Sequence, residues 1–357
     1  MSSNQTAKDN NKEKELPNYS KYIGRKVLFL VVFAVILVAF ILIATSIGSV
    51  SLPISEVINQ ILNQKGIVWS IRLPRVLVGV VAGAMLAVAG TVMQCILKNP
   101  LCEPYTLGIS QAASFGASFA IVILGAGATF AHTGDAVVVY NQYTVTLTAF
   151  CFALLSTGVV IILTRLTKVA PESIVLAGVV MGSIFGAGRT AMQYFADEVQ
   201  LSSIVYWMFG DLSRVIWDNL FLICAISLPV LIYFIYNRWT YNAIDAGIDT
   251  ANSLGVNVDR HITVGLILCS VIASVIVSMM GVIGFVGLLA PHMVRRVIGS
   301  DHRFLIPAST LVGALTLLIS DTLARTIVSP LVLPVGIITS FFGGPLFLFI
   351  LIRGYRK

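Results

Sequence analysis

Three arginines lie at the edges of otherwise apolar segments, where a positive charge is unfavourable unless it is paired or solvated. Arg72 and Arg75 flank Pro74 at the start of one apolar run, and Arg325 lies near the end of another. A guanidinium binds carboxylates through charge-assisted hydrogen bonds, so the available chemistry is recognition of acidic groups. The alternatives are side chains that extend to lipid headgroups and, for Arg325, an ion pair with Asp321 one helical turn earlier.

The residue sets needed for catalysis or metal binding are missing from the sequence. Its five cysteines are scattered without a Cys-x-x-Cys pair, and its four histidines show no ligand spacing. There is no Gly-Lys pair, and therefore no phosphate-binding loop of the ATPase type. We expect no catalytic residues, no metal site and no cofactor, and any ATP-driven step must depend on a partner.

The composition indicates which class of protein could hold these arginines. The chain has 357 residues, of which 57% are hydrophobic and 11% are charged. A soluble domain carries about 25% charged residues, so this chain cannot cover a globular surface with solvated groups. The composition excludes a soluble enzyme, a disordered chain and a nucleic-acid-binding protein, and it predicts an all-α integral membrane protein.

Ten apolar runs are candidates for membrane-spanning helices of about 20 residues. They cover residues 27–47, 76–97, 107–127, 144–164, 173–194, 218–237, 262–280, 283–298, 305–328 and 332–352. Two ladders of small residues at four-residue spacing predict close helix packing. The ladders are Gly79, Gly83 and Ala87, and Gly178, Gly182 and Gly186.

Lysine and arginine are distributed unevenly between the two sides that these runs define. With the N-terminus inside and ten crossings, 17 of the 23 basic residues fall inside and 6 fall outside. The six outside are Lys65, Arg72, Arg75, Arg189, Arg214 and Arg325. This bias predicts that both termini are cytoplasmic. It also predicts a disordered cytoplasmic tail over residues 1–25 and a single transmembrane domain over residues 26–357.

The segment Asn99-Pro100-Leu101 follows the second apolar run on the predicted inner side. Its proline interrupts the helix and exposes backbone carbonyls. Broken backbone at membrane depth is tolerated only against protein or along a water-filled path. The segment is therefore either an ordinary tight turn or part of a transport path.

Residues 242–260 also fall on the predicted inner side and are polar but capable of forming a helix. Apolar residues recur there at helical spacing, and they are Ile244, Ile248, Ala251 and Leu254. The spacing predicts one short amphipathic helix that ends at Gly255. Its polar face carries Asp245 and Asp249 rather than lysine or arginine, which favours a protein partner over an anionic membrane surface.

A series of short motifs occurs in a fixed order along the chain. They are Arg72-Leu73-Pro74-Arg75, Gln94, Asn99-Pro100-Leu101, Leu107-Gly108-Ile109-Ser110, Trp207 with Gly210, Leu254-Gly255-Val256, Gly284-Phe285-Val286-Gly287-Leu288 running into Pro291-His292, Asp321 with Arg325, and Pro334-Val335-Gly336. From about residue 51 to the C-terminus, the set resembles the FecCD type of permease subunit in ABC importers for ferric siderophores, haem and cobalamin.

The resemblance implies a ten-helix permease fold of the cobalamin and siderophore type in the cytoplasmic (inner) membrane of a prokaryote. It implies a second permease copy or paralogue, two ATP-binding cassette subunits inside and a substrate-binding protein outside, with no role for nucleic acid. By motif, Arg72, Arg75 and Arg325 match arginines that receive acidic residues of the binding protein. The motifs also imply residues for two roles on the cytoplasmic side. They are Ala251, Leu254, Gly255 and Val256 for coupling to the ATPase, and Asn99, Pro100 and Leu101 for a cytoplasmic gate.

The predicted function is therefore ATP-driven import of an iron chelate, a ferric siderophore, by a chain that is not itself an enzyme. The same machinery could carry cobalamin, haem or an oxyanion, and nothing in the apolar runs separates these substrates. A rival of another class is an ion-coupled secondary transporter, which needs carboxylates within the membrane. Glu172 and Asp321 are the only candidates for them, and both lie near the ends of apolar runs. A third alternative, an intramembrane enzyme, is not supported, because the sequence contains no paired nucleophile and base and no metal-ligand set.

Overall fold

A computed structural model describes residues 19–48, 52–126, 129–132, 135–138, 141–167, 171–329 and 331–354. Helices dominate this part of the chain. They are α1 (Tyr19–Ser46), α2 (Ile54–Leu62), α3 (Leu73–Ile96), α4 (Ile109–Val122), α5 (Gln142–Thr167), α6 (Pro171–Phe195), α7 (Glu198–Met208), α8 (Trp217–Tyr236), α9 (Arg238–Ala246), α10 (Ile248–Ser253), α11 (Val258–Met280), α12 (Val286–Ile298), α13 (His302–Thr326) and α14 (Val335–Gly354). A two-stranded antiparallel hairpin, β1 (Thr129–His132) with β2 (Asp135–Val138), lies between α4 and α5.

Each of the ten apolar runs coincides with a helix, which confirms the all-α fold class. Within the described residues, seven helices are long and apolar enough to cross a membrane, and α4 and α14 are shorter apolar helices. Helix α12, with 13 residues, is shorter still. Ten crossings and two cytoplasmic termini therefore stay predictions.

Helix α3 lies at the centre of the bundle, as shown by the burial of 83% of the residues in its most apolar stretch. Its glycines allow neighbouring backbones to approach closely, as the first small-residue ladder predicts. A Cβ atom on Gly83 would lie 2.4 Å from the carbonyl oxygen of Gly313 on α13. A Cβ atom on Gly90 would lie 1.8 Å from the carbonyl oxygen of Gly287 on α12. Neither position can take a larger residue without separating two helices.

The second ladder lies on α6 and receives a loop rather than another helix. A Cβ atom on Gly178 would lie 2.1 Å from the carbonyl oxygen of Thr106, and one on Gly182 would lie 3.7 Å from the Cα atom of Gly108. Thr106 belongs to a 3₁₀ turn, Pro104–Leu107, that leads into α4. Close approach was predicted correctly, but its partner is the segment that follows the predicted gate.

Two predicted boundaries differ from the structure. Helix α1 begins at Tyr19, inside the predicted tail of residues 1–25, because Lys26 packs over the Tyr22 ring and anchors this turn. Residues 1–18 lie outside the described part of the chain. The single amphipathic helix predicted within 242–260 is two helices, α9 and α10. They are separated at Gly247, whose φ of +136° is incompatible with helix.

Candidate functional site

Two of the three arginines predicted to bind acidic groups share one carboxylate, and the third, Arg72, binds the end of α1 next to Arg325. Arg75, near the start of α3, donates from Nε and Nη2 to Oδ1 of Asp321 at 2.9 and 2.8 Å. Arg325, one turn beyond Asp321 on α13, places its Nε 3.0 Å from Oδ2. The i,i+4 pairing of Asp321 and Arg325 is thus confirmed. We call Arg72, Arg75, Asp321 and Arg325 the arginine cluster.

Two members of the arginine cluster also bind the end of α1. Arg72 Nη1 donates to the carbonyl oxygens of Thr45 and Ser46 at 3.1 and 2.9 Å. Arg325 donates from Nη2 to Ala44 and from Nη1 to Ile47, at 3.1 and 2.9 Å. The last carbonyls of a helix have no partner within it and carry partial negative charge. The guanidiniums supply both the donors and the opposite charge, and they join α1 to α3 and α13.

The arginine cluster is buried in this chain. Asp321 is 0% exposed, while Arg72 and Arg325 are each 7% exposed and Arg75 is 8% exposed. Outside the cluster, Asp211 approaches Nη2 of Arg75 at 3.9 Å. A buried carboxylate is stable only with opposite charges and hydrogen bonds around it. The first role of these arginines is therefore to neutralise Asp321 and the end of α1, and docking of a binding protein stays a prediction.

The predicted coupling residues lie near the other end of α3, where Lys98, two residues beyond that helix, binds Ile244 of the neighbouring helix α9. The 24 residues of α3 separate its two ends by about 36 Å. Gly255, with φ +80°, ends α10 and donates to the carbonyl of Asn252 at 2.9 Å. Val256 donates to the carbonyl of Ala251 at 3.0 Å, which completes a Schellman motif. Ala251 is buried, Leu254 is 69% exposed, and nothing lies within 4 Å of a Cβ on Gly255. The turn presents an apolar side chain on an open surface.

The predicted gate segment lies beside these helices. Asn99 accepts a hydrogen bond at Oδ1 from the backbone of Leu101 at 2.9 Å, which closes a tight turn around Pro100. Lys98, just before it, donates to the carbonyl oxygen of Ile244 on α9 and places Nζ 3.9 Å from Asp245. The gate segment and the coupling helices are therefore in direct contact through Lys98.

A second connection joins α9 to the start of α13. Asn242 donates from Nδ2 to Oδ1 of Asp301 at 2.9 Å and accepts from the backbone of His302 at 2.7 Å. Asp301 also accepts from Arg303 and caps α13. Burial acts to raise the pKa of Asp301, but hydrogen bonds from Arg303 and Asn242 outweigh it and lower the pKa to about 2. Asp301 therefore stays ionised and holds α9 against α13.

Sequence reasoning missed the residues that make these two connections. Lys98 and Asn242 look like ordinary loop and helix polar residues, and their partners are 146 and 59 residues away in the chain. It also gave no role to Arg189, whose Nη1 donates to Oε1 of Gln111 at 2.9 Å. A basic residue inside an apolar run is the one signal that pointed to Arg189. In the described ranges, no three His, Cys, Asp or Glu side chains group closely enough to hold a metal ion.

Comparison with known proteins gives one consistent result. The model of the FecCD transport family matches residues 36–353. The putative ABC transporter permease protein MJ0087 of Methanocaldococcus jannaschii is 46% identical over 344 residues, covering 95% of this chain and 98% of that protein. The hemin transport system permease protein HmuU of Yersinia pestis is 35% identical over 321 residues, covering 89% and 93%.

A solved structure agrees with the sequence relatives. It is described as an inward-facing conformation of a putative metal-chelate type ABC transporter. It superposes with a TM-score of 0.80 at 28% identity and covers 91% of this chain and 98% of its own. The family match, the helical fold and the apolar helices point the same way. The chain belongs to the FecCD transport family and is a multi-pass membrane permease of an ABC importer, with ATP hydrolysis on separate subunits.

Proposed function

We propose that this chain carries an iron chelate of the ferric siderophore class across the cytoplasmic membrane. Two ATPase subunits bind its coupling helices, a second permease copy or paralogue completes the path, and a binding protein delivers the chelate from outside. Haem, cobalamin and an oxyanion are the alternative cargoes. HmuU is named for hemin, which supports an iron-containing cargo, and the solved relative is named for metal chelates without specifying the metal.

The contact between the coupling helices and the gate segment is the observation that supports this proposal most. Leu254 is exposed at the end of α10, where an ATPase subunit would bind, and α9, the helix before α10, accepts a hydrogen bond from Lys98 beside the gate segment. Asn242 extends the connection to α13. A displacement of α9 and α10 would move both the gate and α13, because packed helices shift as units rather than deform. ATP-driven switching needs such a mechanical link.

Docking of the binding protein is proposed for the end of the molecule that holds the arginine cluster. The arginine cluster carries a net charge of +2, of which Asp211 beside Arg75 offsets part, and this remaining positive charge could steer an acidic partner. Electrostatic steering then raises the association rate and sets the register. We expect association with the binding protein to weaken as the salt concentration rises. Association that is independent of salt would exclude a role for these charges.

The function is tested in proteoliposomes that contain this chain, its ATPase subunits and its binding protein. Uptake of radioactive ferric siderophore should require ATP and should persist when a protonophore collapses the proton gradient. A control with ATPase subunits unable to hydrolyse ATP should take up none. Uptake that survives ATP depletion and stops with the protonophore would instead identify an ion-coupled secondary transporter.

A further inference from the structure

A cavity of about 590 Å³ opens between α4, α6 and α14, and its described polar lining has a positive charge but no negative one. Its polar side chains come from Ser110, Gln111, Ser114, Arg189 and Ser340. Among the described residues that line it, Arg189 is the one charge and no carboxylate is present. A site with one cation, several small donors and no acid favours an anionic group.

Arg189 has donor capacity that the protein does not use. It lies in the apolar stretch Ser173–Phe195, where a cation normally has a carboxylate partner. Within the described ranges no carboxylate lies within 4.0 Å of it, and its Nε is buried without a hydrogen-bond partner. This contrasts with Arg75 and Arg325, which share Asp321. The guanidinium of Arg189 is therefore held in the protein with part of its fork unsatisfied.

Among the described residues, Gln111 is the hydrogen-bond partner of Arg189, and this contact orients a second donor. Its Nη1 donates to Oε1 of Gln111 at 2.9 Å, and a guanidinium has no acceptor, so the amide oxygen must face Arg189. The other polar atom of the Gln111 amide is a nitrogen, which can only donate. Ser110 and Gln111 belong to the first turn of α4, and Gly336 and Ile337 belong to the first turn of α14. Helix N-termini carry partial positive charge, which adds to that of Arg189.

From this arrangement we propose that the cavity binds a carboxylate of the transported chelate, with Arg189 as the charged donor and Gln111 as the residue that positions it. This rests on the proposed function and narrows the cargo to chelates that carry free carboxylates. A carboxylate in the cavity would supply the negative charge and acceptor atoms that the described residues around Arg189 do not provide, through charge-assisted hydrogen bonds to the guanidinium. A neutral or cationic hydroxamate chelate gains nothing from this site.

The test uses the full chain in nanodiscs of phosphatidylcholine, with ferric citrate and ferrioxamine B as probes. Ferric citrate carries free carboxylates, whereas ferrioxamine B is a hydroxamate chelate without them. We expect Arg189→Gln to weaken ferric citrate binding about tenfold, the scale of one lost charge-assisted hydrogen bond, and to leave ferrioxamine B binding unchanged. Arg189→Lys should retain part of the preference, because it keeps the charge and loses the fork. The matched control Arg165→Gln, at an exposed position on α5, should change neither.

Four results would overturn the proposal. They are absence of saturable ferric citrate binding by the unmodified chain, unchanged citrate binding by Arg189→Gln, an equal loss for both chelates, and displacement of ferric citrate by phosphatidylglycerol in the nanodisc. Equal loss would mean that Arg189 only joins α4 to α6, and displacement would assign it to a lipid headgroup. If ATP-driven siderophore uptake persists while any of these occurs, this inference fails and the proposed function stands. Uptake that needs no ATP would remove the proposed function itself.

Discussion

The two ends of α3 use charge in opposite ways. At one end, the arginine cluster is buried, and its groups bind one another and the carbonyls of α1. At the other end, Leu254 is 69% exposed, and the side chains of the Lys98–Asp245 ion pair are 29% and 41% exposed. The first end therefore holds helices together, and the proposal is that a partner moves the second. Substitutions at the first end should therefore lower stability, whereas substitutions at the second should lower uptake per ATP hydrolysed.

Replacing the buried carboxylate should have the largest effect on folding. Asp321→Asn leaves the charges of Arg75 and Arg325 uncompensated in the interior, which costs about 3 kcal/mol or more. We expect a large drop in the denaturant concentration at which the purified permease unfolds. The control Asp211→Asn removes a carboxylate 3.9 Å from Arg75 that is partly exposed, and it should change stability little. Similar losses in both variants would show that burial is not the cause.

Forcing α3 away from α12 should lower the stability of the whole permease. In Gly90→Ala the added methyl group would lie 1.8 Å from the carbonyl oxygen of Gly287, and such overpacking costs about 1–3 kcal/mol. The control Gly158→Ala adds the same group to α5, where nothing lies within 4 Å. Thermal unfolding of the two variants should show a loss for the first and none for the second. A stable Gly90→Ala protein would contradict the close contact of these helices.

Changing the exposed turn should affect coupling and leave folding intact. Leu254→Ser replaces a side chain that makes little contact within the chain, so stability should change by less than about 0.5 kcal/mol. ATP hydrolysis by the assembled transporter should continue, but the chelate taken up per ATP hydrolysed should fall severalfold. The control Leu62→Ser changes a leucine that is 78% exposed at the end of α2, and it should leave this ratio unchanged. A loss of coupling in both would remove the special role of Leu254.

The smallest effect should come from acid. The pKa of Asp301 is about 2 in the folded chain against an ordinary value of 3.8. A lowered pKa means that the folded state gains stability above the ordinary value and loses it as the pH falls from about 4 towards 2. We expect the unfolding midpoint to decline across this window. The unfolding midpoint should decline less with acid in Asp301→Asn. An identical decline in that variant would mean that other groups cause the acid sensitivity.

The sequence predicted those features that depend on neighbours along the chain. Long apolar runs located the helices, the Gly83 ladder located the close contact of α3 with α13, and four-residue spacing paired Asp321 with Arg325. It could not join residues far apart in the chain, because no local pattern records which helix faces meet. Arg75 binds Asp321 across 246 positions, and Arg189 binds Gln111 across 78.

Charge placement shows the same limit. Composition and orientation left Arg72, Arg75 and Arg325 open between lipid and an acidic partner, with an internal ion pair as a further alternative for Arg325. The outcome depended on a buried carboxylate and on the carbonyls at the end of α1, which only the assembled bundle brings together. The single helix predicted around Ile248 failed for a more local reason, since Gly247 adopts a backbone conformation that apolar spacing cannot reveal.

The most direct test compares Asp321→Asn and Leu254→Ser in one proteoliposome assay that records folded permease, ATP hydrolysed and chelate taken up. We expect Asp321→Asn to lose folded permease while its remaining folded fraction keeps the normal uptake per ATP. Leu254→Ser should keep its folded amount and lose uptake per ATP. The reverse pattern, or the same pattern in both variants, would contradict the division of roles between the two ends of α3.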